Sequence, residues 1–304
     1  LAVKLMLDQG IEIQGLFLKS PFGCSTKNVI CVADLLGVPL KIVEKGKDYV
    51  DLVRNPKYGY GKNMNPCIDC RAFMFVLAKR VMEEEEADFL VTGEVLGQRP
   101  MSQMGRTMRL IDRESEMEGF VLRPLSAKHL PQTKPELEGW VDREQLLGIT
   151  GRSRKEQLKR ATAYGLTGFG PPAGGCLLTD PNYSARLSDF FAKEKAPSMT
   201  EVRLLRYGRH IDLDEKVHLV IGRNEKENGA LRQVFEEEEK TGKIALIEPL
   251  FSGPSMILTG AFGPTQIKTA GKIMTQYAKK EGEYWIEVRY GGDLYTLFLT
   301  AEAT

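Results

Sequence analysis

The chain has 304 residues, 42% hydrophobic and 27% charged, with a formal net charge of +1, proportions ordinary for a globular protein and sufficient for two domains with separate cores. No apolar run approaches the roughly 18 residues of a membrane span, the N-terminus lacks the pattern of a signal peptide, and five cysteines in a chain this long do not make a disulfide scaffold. A cytoplasmic protein with no membrane partner is expected, one in which a Cys-x-x-Cys pair serves metal or redox chemistry. The near-neutral charge leaves nucleic acid open, because a local basic patch is enough.

Leu1 to Gln9 reads as a helix, Ile11 to Phe17 as a strand, and Ser20-Pro21-Phe22-Gly23 as the loop after it. Thr26 to Gly37 is a second helix, closed by Gly37 where left-handed backbone is wanted, and Val38 to Val43 is a second strand. Cys67 and Cys70 sit in the Pro-led turn Asn65-Pro66-Cys67-Ile68-Asp69-Cys70, just before a helix that opens at Arg71. Phe73, Met74, Val76, Leu77 and Val81 recur there at helical spacing and predict a broad buried face. Glu83 to Glu86 is a charge run facing solvent. Asp88 to Gly93 is a parallel strand that opens into a glycine-containing loop, and Gly119 to Arg123 is another strand. The βα alternation predicts an α/β fold with a doubly wound, mostly parallel sheet. Ligands of such sheets bind beyond the carboxyl ends of the strands, where the two thiols and the loop after Gly93 meet.

Residues 126 to 181 read as helices and loops. Ser153-Arg154-Lys155-Glu156 has capping-box spacing and opens a helix to about Tyr164, and the loop Gly168 to Gly175 delivers Cys176. A helix over Tyr183 to Ala192 precedes Lys193 to Ser198, whose composition marks a linker. The first domain is therefore placed at 1–195 and a second, smaller α+β domain at 199–304. In the second, strands are expected at Glu201–Tyr207, Lys216–Gly222, Lys243–Ile247, Ser255–Thr259, Tyr284–Tyr290 and Asp293–Thr300, the last two forming a hairpin around Gly291-Gly292. Helices fit Glu225–Thr241 and Thr265–Lys279.

Three thiols, Cys67, Cys70 and Cys176, can hold three irons of a [4Fe–4S] cluster and leave the fourth iron open. They can equally bind zinc with an outside ligand, form a redox disulfide beside a reactive third thiol, or be unrelated structural residues. Cys31, among Val29, Ile30 and Val32, reads as core, and Cys24 ranks below the other three. In Thr92 to Gln103, Gly93 and Gly97 allow close backbone approach to a ligand, while Gln98, Ser102 and Gln103 offer neutral donors and acceptors for a base or ribose. Arg152, Arg154, Lys155, Lys159 and Arg160 form a basic cluster, with Arg106, Arg109 and Arg113 a smaller one; such clusters follow phosphates or simply face solvent. His129, His210 and His218 are dispersed, with no metal-ligand or triad spacing.

Thr92-Gly93-Glu94, Gly97-Gln98, Ser102-Gln103 and Arg123-Pro124-Leu125, with Ser20-Pro21-Phe22 after the first strand and Arg71 opening the helix, resemble the catalytic domain of the tRNA 4-thiouridine synthases (ThiI). These are PP-loop ATP pyrophosphatases of the adenine nucleotide alpha hydrolase-like class, related to the 2-thiouridylases. The resemblance covers about residues 1 to 180 and is specific over 63 to 128. It implies ATP with Mg²⁺ as cofactors, and Leu16, Phe17, Arg71, Gly93 and Gln103 as nucleotide contacts. It also implies adenylation of a uridine carbonyl oxygen in tRNA, followed by sulfur displacing AMP. In related thiolases the three-cysteine set resembles a cluster site whose open iron carries sulfur; in others two cysteines work through a persulfide and a disulfide. Cys67, Cys70 and Cys176 are accordingly the candidate catalytic and metal-binding residues. The sulfur donor would be a cysteine desulfurase or free sulfide, and a homodimer is a further expectation.

Two departures bear on this. The Ser-Gly-Gly-x-Asp-Ser phosphate loop is expected just before Leu1, so the sequence as given is expected not to turn over ATP; and within these 304 residues neither a THUMP nor a rhodanese-like domain is expected. Val217-His218-Leu219-Val220-Ile221-Gly222-Arg223-Asn224, followed by Glu227-Asn228, resembles the start of an NFACT-R domain, which implies RNA handling in place of THUMP; a small α+β domain for dimerisation or scaffolding is the plainer alternative. Three readings follow: an ATP-dependent, iron–sulfur tRNA thiolation enzyme; a PP-loop enzyme adenylating a small molecule, with a structural zinc or cysteine site; and a non-catalytic protein bound to RNA or ribosomes.

Overall fold

A computed structural model describes residues 1–23, 26–166, 176–239, 242–278 and 282–301. Cys24 and the 168–175 loop lie outside the described residues. The chain divides into two compact units, Leu1–Ala185 and Arg186–Thr304. No helix among the described residues is long and apolar enough to cross a membrane.

The first unit opens with α1 (Ala2–Leu7), β1 (Gly15–Lys19), α2 (Thr26–Leu36), β2 (Leu40–Glu44) and α3 (Gly46–Arg54). It continues through α4 (Cys67–Glu84), β3 (Leu90–Val91), α5 (Gly105–Glu114), β4 (Val121–Leu122), α6 (Lys134–Leu137) and α7 (Lys155–Ala163). β1 pairs in parallel with β2, and β3 in parallel with β4. The parallel βα character expected from the alternation is present, but as two separate two-stranded sheets rather than one continuous doubly wound sheet. β3 and β4 keep only two residues each: Leu90 and Val91 pair, whereas Thr92 and Gly93 already belong to the loop. One core gathers Met6, Val95, Leu122, Leu125 and Leu146, and another packs Phe75 and Ile111 with Met117 and Val121.

Several local expectations differ from the structure. α4 begins at Cys67, four residues before Arg71, so both cysteines lie inside its first turn. α3 and α5 are additional helices. α7 starts after Arg154 with no side-chain cap, Ser153 accepting instead from the Lys155 amide. Cys31 is exposed rather than core, because it falls on the outward face of α2. Glu83 to Glu86 are exposed, as expected for a charge run, and Lys41 pairs with Glu84 and Glu85.

α8 (Pro181–Lys193) contains the boundary between the units. The second unit then runs α9 (Met199–Leu204), β5 (Arg209–Asp212), β6 (Val217–Ile221), α10 (Glu225–Glu238), β7 (Ile244–Pro249), β8 (Met256–Gly260), α11 (Pro264–Thr275), β9 (Gly282–Tyr290) and β10 (Asp293–Ala301). Its strands form one antiparallel sheet in the order β10-β9-β7-β8-β6-β5. Strand alternation sorts the side chains. Val217, Leu219 and Ile221 face Ala270 and Met274 of α11, while Val220, Leu246 and Ile257 face Leu231, Val234 and Phe235 of α10. The segment expected as a strand at 201–207 is helical over α9. Ser198 accepts from the Glu201 amide while the Glu201 carboxylate accepts from the Ser198 amide, a capping box that commits the segment to a helix.

Candidate functional site

The first turn of α4 sets the geometry. Pro66 precedes Cys67, and the Cys70 amide bonds the Pro66 carbonyl, so Cys67 and Cys70 leave one end of the helix together. Between them Asp69 is buried and accepts from the Lys57 and Tyr58 amides, fixing the preceding loop to the helix start. Cys176 arrives from a distant segment that Phe22 anchors: the Leu177 amide donates to the Phe22 carbonyl at 3.0 Å. Phe22 is fully buried against Tyr49 and Tyr183, and Tyr49 in turn packs on Phe73 of α4. The Ser-Pro-Phe loop and α4 thus bring Cys176 toward the other two thiols.

Burial and neighbouring charges shift the groups around the thiols. Burial pushes the Cys176 thiol up to about 11, with the charges of Cys70 and Cys67 adding to the effect. Cys67 is raised by burial and by Cys70, opposed by the nearby charges of Arg99 and Arg71. Tyr49 is raised too, by burial first and then by Cys70. The Tyr49 hydroxyl donates to Cys70 Sγ at 2.9 Å and Lys45 Nζ lies 3.4 Å from the same sulfur. Lys45 is itself buried, with its ammonium 4.1 Å from the centre of the Tyr49 ring. Neither Lys45 nor Tyr49 is marked in the sequence, since each stands on a helix or helix cap with no motif around it. Among the described residues, no three His, Cys, Asp or Glu side chains are gathered closely enough to hold a metal ion.

One residue beyond Cys70, Arg71 turns to the second constellation. Its Nε lies 3.2 Å from Glu94, which also pairs with Arg123 at 3.0 Å, and Arg123 makes a two-pronged contact with Asp112 at 2.6 and 2.8 Å. The Thr-Gly-Glu and Arg-Pro-Leu motifs therefore meet as a buried ion-pair chain that ties α4 and α5 to the loop after β3. In that loop the Gly97 amide donates to the Gln103 carbonyl at 2.7 Å, and the Leu96 amide donates to Ser126 Oγ at 2.9 Å. Gln103 is buried, yet its side-chain oxygen accepts no hydrogen bond among the described residues. Gly93 is exposed, with open space where a Cβ would stand. An unsatisfied acceptor and an unfilled backbone position are what a nucleotide with amino and hydroxyl donors would use.

Leu16 and Phe17 are half-buried on β1, opposite Lys41 and Ile42, in a separate sheet from β3. A cleft of about 180 Å³ beside β4 is lined in part by Arg109, Asp112 and Arg123, and by none of the expected cysteine or nucleotide contacts. In the basic stretch at 152–160, Arg152, Lys155 and Lys159 are exposed and Arg160 pairs with Glu156. In the second unit, two histidines that look dispersed along the chain come together. The β5–β6 register sets Asp212 opposite His218, and His218 Nδ1 lies 2.6 Å from Asp212. His218 Nε2 is 2.8 Å from His210 Nδ1, and His210 Nε2 is 2.8 Å from the Tyr207 carbonyl. Only strand pairing reveals this group, because the spacing of the residues along the chain carries no signal.

An α/β unit with two cysteines opening α4 and a third on a segment tied to Phe22, followed by an antiparallel sheet unit, is what the fold and the site define. Residues 1–129 match the family described as Thiamine biosynthesis protein (ThiI), and residues 208–297 match the NFACT protein RNA binding domain. The chain therefore carries a ThiI-type domain at its N-terminal end and an NFACT-R-type domain at its C-terminal end. No curated protein and no solved structure matches it.

Proposed function

We propose that this chain is an ATP-dependent tRNA uridine thiolation enzyme, in which the first unit performs adenylation and sulfur transfer and the second holds RNA. The observation that carries the reading is that Cys67 and Cys70 open α4 directly before Arg71 of the Arg71–Glu94–Arg123 chain, while the segment of Cys176 is tied through Phe22 to Tyr49, whose hydroxyl donates to Cys70. ThiI-type and RNA-binding family matches on the same chain support tRNA as the partner.

The chemistry follows from what leaves. A uridine carbonyl oxygen is a poor leaving group; joined to AMP, with pyrophosphate released from ATP·Mg²⁺, it departs as phosphate oxygen when sulfur attacks the ring carbon. Gln103 would accept a hydrogen bond from the nucleotide, and Gly93 would let it lie against the backbone. Arg71, held by Glu94, would face its negative charge, with Leu16 and Phe17 against the base. This assignment places the nucleotide beyond the carboxyl ends of the parallel strands of a first domain at 1–195, followed by a second domain at 199–304.

By chemical type three thiolates are the donors a [4Fe–4S] cluster with one open iron would need, although the three are not gathered at metal-binding distance here; a bound cluster would supply an iron able to carry sulfur. A structural zinc would need a fourth ligand from outside the trio. Cys67, Cys70 and Cys176 would hold the cluster, with Tyr49 and Lys45 directed at the Cys70 sulfur. Free sulfide or a cysteine desulfurase would supply the sulfur. The test is iron and acid-labile sulfide analysis on protein purified without oxygen, alongside retention of tRNA in a gel shift. About four irons per chain, lost in Cys176→Ala while tRNA is still retained, is the expected result. Zinc in place of iron defeats the cluster assignment, and failure to retain tRNA defeats the substrate assignment.

A further inference from the structure

The two edges of the second unit's sheet are built differently. β5 is four residues long and carries Arg209, His210 and Asp212. β10 is nine residues long, pairs with β9 in an unbroken ladder from Asp293 to Ala301, and has Asp293 as its only charged residue. An open edge offers a row of unpaired N–H and C=O groups to any other strand, and proteins guard it with shortness, charge, proline or a bulge. β5 has the first two guards. Beyond Asp293 at its start, β10 has none of the four.

The surface around β10 is apolar as well. Leu294 and Phe298 are 59 and 46% exposed on one face of the strand, and Tyr295 is 50% exposed on the other. Trp285 of β9, 50% exposed, sits in register with Phe298, the two rings 4.8 Å apart. α10 covers this face of the sheet over β6, β7 and β8, and its buried cluster includes no residue of β9 or β10. The charged groups on the same face of β9 are Glu283, Glu287 and Arg289, and Arg289 already pairs with Glu248. An acidic rim repels phosphate, so RNA is the wrong occupant for this edge.

We infer that β10 is a self-association edge, on which a second copy of this chain adds its own β10 in antiparallel pairing. The strand is complementary to itself. Paired about Leu297, it sets Thr296 opposite Phe298 and Leu294 opposite Thr300, and places no charge against a like charge. Four side chains per copy, each with on the order of 100 Å² left to bury, together with the strand backbone, approach the roughly 1,200 Å² of a specific interface. The result is one sheet continuous across two copies, and it requires neither the nucleotide nor the thiol assignment made above.

The test uses the full chain, by sedimentation velocity and by amide hydrogen exchange over a dilution series. The expected result is a dimer at micromolar concentration, with β10 amides exchanging more slowly as concentration rises. The variant Leu294→Lys/Phe298→Lys, changed at exposed positions, is expected to be monomeric while still unfolding cooperatively, with a midpoint lower than that of the wild-type dimer. A wild-type chain that stays monomeric overturns the proposal. So does a dimer whose β10 amides exchange at the same rate at every concentration, a readout that holds even if the double variant misfolds. Protection of β10 by single-stranded RNA in a monomeric chain overturns it in favour of a nucleic-acid edge.

Discussion

The two units bury polar groups of different kinds. Lys45, Asp69, Glu94 and Arg123, charged residues that are nearly inaccessible, all belong to the first unit. Among the described residues the second unit buries only uncharged polar ones, Thr200, Asn228, Ser255, Thr259 and Thr275, beneath a continuous apolar core. Removing a charge from water costs several kcal/mol that its partners only partly return. A fold that needed stability alone would do as the second unit does and close two apolar layers over a sheet. In the first unit the buried charges lie on the path from the thiols to the loop after β3, so the site itself bears the cost.

Glu94 is where this contrast breaks most visibly. It bridges two arginines, and Glu94→Gln leaves Arg71 and Arg123 without that carboxylate. We expect a loss of about 3–5 kcal/mol, read in denaturant as a fall in the midpoint of the first unit's transition while the second unit's is unmoved. A concerted fall of both transitions would show that the units do not unfold separately. The complementary change is Leu258→Ala in the fully buried layer under α11. Its expected cost is about 2–5 kcal/mol, confined to the second unit's transition.

A smaller effect distinguishes the units by pH. Burial holds His210 down to about 3 from its usual 6.5, and with Nε2–H directed at the Tyr207 carbonyl the ring stays neutral and accepts through Nδ1. In the unfolded chain this histidine protonates near 6.5, whereas in the folded unit it does so only near 3. Protons therefore favour unfolding below 6.5. The stability His210 contributes is complete above about 6.5 and is lost as the pH falls toward 3, at up to about 1.4 kcal/mol per pH unit. Thermal midpoints of the second unit should follow that slope, and His210→Gln should flatten it. An unchanged slope in the variant would assign the acid sensitivity to another group.

Much of this architecture is legible in the sequence, and the departures have identifiable physical causes. The βα alternation, the Cys67–Cys70 pair and the Thr-Gly-Glu, Ser-Gln and Arg-Pro-Leu motifs are local patterns, and local patterns survive in the chain. At 201–207 the alternation of apolar residues points to a strand, but a cap decides the outcome. Ser198 and Glu201 close a capping box at the right spacing, although Ser198 lies in a stretch whose composition marks a linker. α4 starts four residues before the expected Arg71 because Pro66, in a sequence that resembles a turn, is the residue that precedes the helix. The roles of Lys45, Tyr49 and Asp69, and the meeting of His210 with His218, depend on partners at least eight residues away through a helix or sheet register. No periodicity encodes such contacts.

The smallest effect is the most specific to the thiol site. Tyr49→Phe keeps the ring that packs on Phe22 and Phe73 and removes only the hydroxyl that donates to Cys70 Sγ. The expected loss is about 1 kcal/mol, the net worth of one hydrogen bond, in the first unit's transition alone. Stability by itself does not identify the partner, so the decisive form is a double-mutant cycle with Cys70→Ala. If the sulfur is the acceptor, the two losses are less than additive, with a coupling of about 0.5–1 kcal/mol. Additive losses would mean that the phenol is satisfied elsewhere. The contrast between the units would then rest on the buried charges alone, and the thiols would be neighbours of the buried polar chain rather than members of it.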